Sequence, residues 1–369
     1  MSLPRVKPKV VIDGRMVSET LHGMARYVVL MAQGLARQGE LKFEPVFLIQ
    51  PGMSSKFSGF KTIETGSVFL QPGETLEIPK ILKESGAALY HSPTFSSLAF
   101  APCPWIITIH DLNHLTFGGM KEKLYYKFLL RPFARRAEKV LSVSRFSGNE
   151  IAAWLGVEAD RIEIVHNALD PSLSKTALSD SDCDTILAKL KLKRGGYFFS
   201  LSNPKPHKNV GLLVEAYKKY RQIEAKPDLP ELVLSMKEYS DVFGVRALGP
   251  IPETQTRALL QGAKALFFPS LYEGFGLPPV EAAALGVPIV VSDIPAHREA
   301  LSPLQEGEAL FLPAMNREAW SDAILKASRG ELRIPSEASR RILLDTYSVE
   351  TLGKSMARIY ETVLSSNQS

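Results

Sequence analysis

The stretch FFPSLYEGFGLPPVEA, residues 267–282, predicts the end of a buried strand, a tight loop and the start of a helix. Pro278 and Pro279 suit a first helical turn, because that turn leaves backbone N–H groups unpaired and proline lacks one. Gly274 and Gly276 let the loop backbone approach a ligand closely and adopt positive φ. Free N–H groups and a helix N-terminus would then face one pocket, so the stretch predicts an anion site.

Two carboxylates stand on the rim of this predicted site. Glu273 lies in the loop, where it can accept hydrogen bonds from sugar hydroxyls, and Glu281 lies eight residues later in the first turn of the predicted helix, within reach of a second polyol such as ribose. The ordinary alternative for Glu273 is an acidic loop residue that binds no ligand. For Glu281 the alternative is a carboxylate that only complements the helix dipole, which would stabilise the helix by about 0.3–1 kcal/mol. The combination of loop, prolines and acids favours phosphates held between two polyols. The third glycine of the dinucleotide fingerprint is missing.

Length and hydrophobic pattern predict an α/β protein of two domains. The chain has 369 residues, 45% of them hydrophobic, which is enough for two cores. Apolar runs that do not alternate with polar residues are typical of strands buried in parallel sheets, and they occur at 9–13, 87–91, 105–109, 197–201, 265–268 and 288–292. We expect doubly wound domains at 1–172 and 196–349, joined by a linker at 173–195 where the pattern weakens.

The composition indicates which compartment the protein occupies and whether membrane helices or metal sites are expected. No stretch approaches eighteen apolar residues and the N-terminus is polar, so we expect neither a membrane-spanning helix nor a signal peptide. Cys103 and Cys183 lie far apart without metal-ligand spacing, which favours a reducing, cytoplasmic compartment. Asp180-Ser181-Asp182 is a formal D-x-D pattern, but it lacks a preceding apolar strand and is interpreted as a solvated linker. We therefore predict no metal and no cofactor.

The net charge of +5 and the pI of about 9.0 suit an acidic substrate or a membrane surface. The chain lacks the aromatic, Cys/His and basic-region patterns of nucleic-acid-binding proteins, so no nucleic acid is expected. Residues 121–136 are basic and aromatic, with a helix kink or break expected at Pro132. We favour a helix whose apolar face is core and whose charges are solvated. Peripheral contact with the inner face of a membrane is the alternative.

Polar side chains follow two of the predicted strands. His110 and Asp111 come directly after the run 105–109, at the strand end where open α/β sheets bind ligands, although a lone histidine is more often structural. Lys208 stands in a loop before a predicted helix, with Asn203 earlier in the same loop, so its ammonium and the helix N-terminus can act on one phosphate. An exposed lysine near a helix cap is the alternative. Gly23 precedes the first predicted helix.

The motifs carry a family resemblance. The spacing of Glu273 and Glu281 matches the E-x7-E motif of the retaining glycosyltransferases of family 4, and residues 269–278 resemble members that transfer mannose from GDP-mannose. Residues 205–209, KPHKN, line up with the E-P-R-K-N loop common in that family, and His207 stands in the place of the usual arginine. The resemblance covers nearly the whole chain and is strongest from 197 to 300.

The resemblance implies the GT-B architecture, in which two Rossmann-like domains face a cleft and the C-terminal helix, here 350–369, crosses back to the first domain. It also implies roles for single residues. His110 would approach the transferred sugar, Lys208 would bind the pyrophosphate, Glu273 would orient the sugar and Glu281 would bind the ribose. The remaining donor contacts would come from Gly23, Asn203, Phe275, Gly276 and Leu277. His22 stands where most members have a second glycine.

The function so implied is transfer of a hexose, in the first place mannose from GDP-mannose, to a hydroxyl of a glycan or a lipid-linked acceptor, with retention at the anomeric carbon and without a metal. Such a reaction belongs to polysaccharide biosynthesis. The alternatives are a UDP- or ADP-hexose-dependent transferase, a GT-B sugar-nucleotide epimerase and a non-catalytic protein that binds sugar nucleotides. A glucan phosphorylase would need a lysine for pyridoxal phosphate, and the sequence identifies none.

Overall fold

The computed structural model describes residues 6–19, 23–71, 73–98, 100–175, 178–224 and 229–367. The chain divides into two compact units, the first formed by Met1–Ala168 with Tyr347–Ser369 and the second by Leu169–Thr346. Residues 173–195, the predicted linker, therefore cluster with the second unit. The reason is local, because a helix at Asp180–Lys189 packs on another at Glu253–Gly262 and buries Cys183 and Leu187.

The strands follow the apolar runs of the sequence closely. In chain order they are β1 (Lys9–Asp13), β2 (Glu44–Ile49), β3 (Lys61–Glu64), β4 (Ala87–Ser92), β5 (Trp105–Thr108), β6 (Lys139–Ser142), β7 (Ile162–Ile164), β8 (Tyr197–Ser200), β9 (Glu231–Leu234), β10 (Val245–Ala247), β11 (Ala265–Phe268), β12 (Ile289–Ser292) and β13 (Ala309–Leu312).

Helices alternate with these strands. In chain order they are α1 (Gly23–Ala36), α2 (Glu74–Ser85), α3 (Asn113–Phe117), α4 (Met120–Tyr125), α5 (Arg131–Arg135), α6 (Arg145–Leu155), α7 (Ser172–Lys175), α8 (Asp180–Lys189), α9 (Val210–Glu224), α10 (Glu253–Gly262), α11 (Leu277–Ala284), α12 (Pro295–Ala300), α13 (Arg317–Arg329), α14 (Glu337–Thr346) and α15 (Val349–Ser366). Short 3₁₀ turns lie at Ser54–Phe57, Ala159–Arg161 and Pro206–Lys208.

The first unit is built on a seven-stranded parallel sheet with the order β3-β2-β1-β4-β5-β6-β7. The chain leaves β1 toward one edge of the sheet and returns to β4 at its other side, so the topological switch point lies between β1 and β4. The last helix, α15, belongs to this unit as predicted and packs on α1. Two glycines, Gly34 and Gly353, meet backbone to backbone where the helices cross.

The second unit is built on a six-stranded parallel sheet with the order β10-β9-β8-β11-β12-β13, and its switch point lies between β8 and β11. Every residue of β8, β11 and β12 is buried, which explains why their sequences do not alternate. The two doubly wound parallel sheets confirm the predicted α/β class.

The basic segment forms one helical run with an irregular centre. A π-helical turn, Tyr126–Leu130, joins α4 to α5, and Pro132 is the second residue of α5. The predicted irregularity therefore lies just before the proline, whose missing N–H removes one i→i−4 hydrogen bond there. In the described part of the chain, no helix combines the length and the apolar character needed to cross a membrane.

Candidate functional site

The predicted donor-binding residues of the second unit lie on two loops at the switch point of its sheet. One loop follows β8 and the other follows β11, and these strands are neighbours in the sheet. The backbone N–H of Leu271 donates to the carbonyl of His207 at 2.7 Å, and the side-chain amide of Asn209 donates to the carbonyl of Pro269 at 3.2 Å. These bonds fix the lysine loop against the glutamate loop.

Lys208 and Glu273 form an ion pair between the two loops. Lys208 Nζ lies 2.6 Å from Glu273 Oε1, and the side chains are only 15% and 12% exposed. The Ser270 hydroxyl donates to the same carboxylate oxygen at 2.6 Å, and the ammonium lies 5.5 Å from the ring centroid of Phe268. Burial acts to raise the pKa of Glu273, but the charge of Lys208 and the hydrogen bonds from Lys208 and Ser270 outweigh it, so this pKa is lowered and the carboxylate is ionised.

The glycine before α11 adopts a conformation that requires glycine. Gly276 has φ of +91° and is the N-cap residue of α11. A Cβ there would lie 2.9 Å from Cδ2 of His297. Phe275 and Gly276 directly precede α11 and Leu277 is its first residue, so the three stand at a helix N-terminus, where an anion binds favourably.

His297 of α12 is a residue that the sequence patterns did not single out. It is fully buried, and its Nδ1–H donates to the carbonyl of Ser292 at 2.9 Å. Nε2 then carries the lone pair of the neutral ring, and it makes no hydrogen bond within the described part of the chain. Burial lowers the pKa of His297, although the charge of Glu273 acts against that shift. A sequence signal for this residue is its position shortly after the end of β12, a strand that pairs with β11 in the sheet.

Glu281 and Asn203 are two further predicted donor contacts, and the position of Glu281 in its helix differs from the expectation. Glu281 is the fifth residue of α11 and not part of its first turn, because the helix begins directly after Gly276, at Leu277, rather than at the proline pair. Its side chain is buried, at 4% exposure. Asn203 is exposed in the loop after β8, where its Oδ1 accepts a hydrogen bond from the N–H of Lys205 at 3.2 Å.

His110 and Gly23 belong to the first unit. His110 Nε2–H donates to the carbonyl of Pro93 at 3.0 Å, and its ring meets that of Tyr27 edge-on at 4.9 Å between centroids. Burial lowers the pKa of His110 to about 4, so the ring is neutral at pH 7 and its Nδ1 lone pair can accept a hydrogen bond from a hydroxyl. Gly23 is exposed, and a Cβ there would meet nothing within 4 Å, so nothing in the described residues requires glycine. His22 lies outside the described residues.

A buried ionic network at the end of β1 is a second feature that the sequence patterns did not reveal. Arg15 Nη2 lies 2.7 Å from Asp13 Oδ2 and 3.0 Å from Glu74 Oε2, and Tyr90 donates to Asp13 at 3.0 Å. All three charged side chains are at most 4% exposed. The network fixes the loop after β1 to the start of α2. Among the described residues, no group of three or more His, Cys, Asp or Glu is arranged to hold a metal ion.

Comparison with known proteins adds independent findings. The family model described as Glycosyltransferase Family 4 matches residues 21–173, and the model described as Glycosyl transferases group 1 matches residues 184–342. One similar protein is the O-antigen chain mannosyltransferase RfbU of Salmonella typhimurium, 28% identical over 229 residues. The alignment covers 59% of this chain and 59% of that protein, so the similarity does not extend over the whole relative.

Solved structures with the same fold cover nearly the whole chain. Sucrose-phosphate synthase from Thermosynechococcus elongatus is 16% identical, with a TM-score of 0.72 and coverage of 98% of this chain and 100% of the other. HepE of Anabaena in complex with UDP-glucose is 16% identical, with a TM-score of 0.70 and coverage of 96% and 99%. At these identities the likeness shows the fold alone. Because the two family models between them account for most of both units, the chain belongs to the glycosyltransferases of family 4 and group 1, with the GT-B fold.

Proposed function

We propose that the chain is a retaining hexosyltransferase that uses a nucleotide sugar, with GDP-mannose as donor. The observation that carries the proposal is the ion pair of Lys208 with Glu273, which joins the two loops at the switch point beside the start of α11. A cation, a helix N-terminus and a buried carboxylate suit the diphosphate and the sugar of one ligand. The choice of mannose is supported by the name of the Salmonella typhimurium relative.

The proposed chemistry is departure of a nucleoside diphosphate from the anomeric carbon. Lys208 and the N–H groups of Phe275, Gly276 and Leu277 would stabilise the charge on the leaving phosphate, and single donors of this kind are worth about 2.7–4 kcal/mol. In the absence of donor, Glu273 neutralises the lysine. A bound diphosphate would draw the ammonium toward itself and leave the carboxylate to accept hydrogen bonds from the sugar.

The remaining predicted site residues complete the proposal. Glu281 would bind the ribose, with Asn203 and Gly23 as further donor contacts, and neutral His110 would accept a hydrogen bond from a hydroxyl of the transferred sugar. In the front-face route the acceptor oxygen is the nucleophile, and its bond to the anomeric carbon forms on the face where the C–O bond to the phosphate breaks. The leaving phosphate takes the acceptor proton, so the chain supplies neither a nucleophile nor a general base. No metal is required in this scheme.

The acceptor we propose is a hydroxyl of a growing glycan or a lipid-linked precursor, encountered in the cytoplasm or through peripheral contact of 121–136 with the inner face of the membrane. A second candidate donor is a UDP-hexose, because a solved structure of the same fold contains UDP-glucose. An ADP-hexose transferase, an epimerase acting on a free UDP-sugar and a non-catalytic binding protein are the further alternatives.

A thermal-shift panel tests the proposal. The full chain is scanned with GDP, UDP, ADP and their hexose conjugates in the presence of EDTA, beside Lys208→Met and the surface control Lys219→Met, whose lysine pairs with Glu318 far from the loops. We expect GDP-mannose to raise the melting temperature of the wild type and of the control but not of Lys208→Met. If UDP-sugars alone raised the melting temperature, the donor would be a UDP-hexose and not GDP-mannose. No response to any nucleotide would contradict the proposed site.

A further inference from the structure

The helical run α4–α5 buries some of its large apolar side chains and exposes others. The structure buries Tyr126, Leu130 and Phe133 of this run against the first unit. On the other side of the run four apolar side chains remain exposed, namely Met120 at 71%, Leu124 at 46%, Phe128 at 62% and Leu129 at 52%. The run is therefore apolar on two faces, and only one of them is used by the fold.

The exposed face continues onto neighbouring loops. A pocket of about 410 Å³ lies between the run and residues 70–71, 74–75 and 97–98, and its apolar lining includes Leu70, Leu98, Phe128 and Leu129. Leu70 is itself 39% exposed. Leu76 and Phe100, one and two residues beyond lining residues, are 81% and 64% exposed. We call Leu70, Met120, Leu124, Phe128 and Leu129 the apolar patch.

Positive charge is interleaved with the apolar patch. Between residues 120 and 136 the chain carries six cationic side chains and one carboxylate, Glu122, a formal excess of five, which equals the net charge of the whole chain. The six cations are Lys121, Lys123, Lys127, Arg131, Arg135 and Arg136. All except the half-buried Arg131 are exposed. A positively charged rim around exposed Phe and Leu side chains complements a surface that is anionic outside and apolar beneath.

We propose that the apolar patch and its lysines dock on an anionic lipid bilayer. Phe128, Leu129 and Leu124 would enter the boundary between headgroups and acyl chains, and Lys121, Lys123 and Lys127 would contact lipid phosphates. A second copy of this chain fits less well, because a two-fold contact would bring the basic residues of both copies together. The contact would be peripheral and would weaken with salt, as expected for exposed charges.

Vesicle sedimentation with the full chain tests this docking. Vesicles of phosphatidylcholine are compared with vesicles that also contain phosphatidylglycerol, without nucleotide, so that the result does not depend on the proposed sugar transfer. The apolar test variant is Phe128→Ser with Leu129→Ser. Its control is Phe243→Ser with Ile334→Ser, which removes exposed apolar side chains of the second unit that are 83% and 62% exposed. Since all four side chains are exposed, the fold should tolerate both double variants.

Charge is tested separately with Lys123→Gln and Lys127→Gln against Lys218→Gln and Lys326→Gln. We expect the wild-type chain to sediment with anionic vesicles only. The apolar test variant should bind these vesicles about tenfold or more weakly. Loss of either Lys123 or Lys127 should weaken the binding about fivefold. Both controls should bind as the wild type does. Absence of binding to anionic vesicles at low salt would overturn the proposal. The proposal would also be overturned if the apolar test variant bound these vesicles as tightly as wild type. A wild-type dimer in size-exclusion chromatography that this variant abolishes would overturn it as well.

Discussion

At the scale of single residues, the ion pair of Lys208 with Glu273 is the centre of the proposed site. Both side chains are largely buried, so each charge depends on the other for neutralisation. Donor binding would replace Glu273 by a phosphate as the partner of Lys208. Mutations can therefore distinguish the roles of the two residues. The lysine should act on the nucleotide and the glutamate on the sugar.

Substitution of either partner tests this division of roles. We expect Lys208→Met to abolish binding of the nucleoside diphosphate, because the cation is lost. Glu273→Gln should bind the diphosphate at least as tightly as wild type, because the lysine no longer has a competing carboxylate, while sugar transfer is lost. Both variants should lower the free energy of unfolding by about 1–3 kcal/mol. Calorimetric titration gives the affinities, and equal weakening by both substitutions would contradict the assignment.

Gly276 is the second residue whose role can be isolated. Gly276→Ala would force a side chain into positive φ and against the ring of His297, so we expect a loss of nucleotide binding together with about 1–3 kcal/mol of stability. Gly330→Ala is the matched control, since Gly330 has φ of +74° with open space around it, at the end of α13. The control should lose stability but keep its nucleotide affinity. Retained affinity in Gly276→Ala would show that the loop shape is not required.

The site could be predicted in part from the sequence at this scale. Lys208, Glu273 and Gly276 stand in patterns whose chemistry is local, and the structure brings all three to one pair of loops. The contact of His297 with Gly276 could not be predicted, because His297 belongs to α12 and only the fold makes α12 a neighbour of the start of α11. The buried network of Arg15, Asp13 and Glu74 escaped for the same reason, since Glu74 lies 59 residues from Arg15 in the chain.

At the scale of elements, the crossing of α1 with α15 fixes the C-terminal helix to the first unit. The backbones approach so closely at Gly34 and Gly353 that an added Cβ at Gly34 would overlap the carbonyl of Val349. Tyr360 of α15 also lies 2.6 Å from Nδ1 of the buried His91 of β4. The amphipathic pattern of the last helix predicted a buried face, but not the two glycines that set its distance from α1.

An alanine at this crossing should be destabilising. In an open helix Gly→Ala stabilises by about 0.8–1 kcal/mol, yet at Gly34 the new methyl group meets backbone that cannot rotate away, so we expect a net loss of about 1–3 kcal/mol. Gly39→Ala, at a surface bend with nothing within 4 Å, should change stability by less than about 0.5 kcal/mol. Chemical denaturation measures both variants. A Gly34→Ala chain as stable as wild type would contradict the close crossing.

The histidine in this contact makes the stability of the first unit dependent on pH. Burial lowers the pKa of His91 to about 3, with the neighbouring His110 acting in the same direction, whereas an unfolded histidine titrates near 6.5. The unfolded state therefore binds more protons between these values. The contribution of His91 is fully present above about pH 6.5 and is lost as pH falls, by about 1.4 kcal/mol per pH unit.

Urea denaturation from pH 7 to pH 5 measures this slope. We expect His91→Gln to be less stable than wild type at pH 7 and to have a shallower decline toward pH 5. The difference between the two slopes isolates His91, because His110, whose pKa is about 4, contributes to both proteins. Identical slopes would mean that His91 is not buried in its neutral form.

At the scale of the whole molecule, the two doubly wound sheets followed from apolar runs that do not alternate, and the family from the E-x7-E spacing. The linker predicted at 173–195 clusters with the second unit, because α8, the short helical stretch within it, packs on α10. The sequence predicted that the run 121–136 is helical with an apolar face in the core, but it could not tell which apolar side chains face the core and which face the solvent. Only the structure separates Tyr126 and Leu130, which are buried, from Phe128 and Leu129, which are exposed.

The most direct test of the proposed site is a crystal structure of the full chain with the nucleoside diphosphate that most stabilises it. We predict that the β-phosphate lies within hydrogen-bond distance of Lys208 Nζ and of the N–H groups at the start of α11, with the ribose hydroxyls on Glu281. We also predict that Lys208 has moved from Glu273 toward the phosphate. A nucleotide bound away from the loops after β8 and β11, with the ion pair undisturbed, would contradict the account.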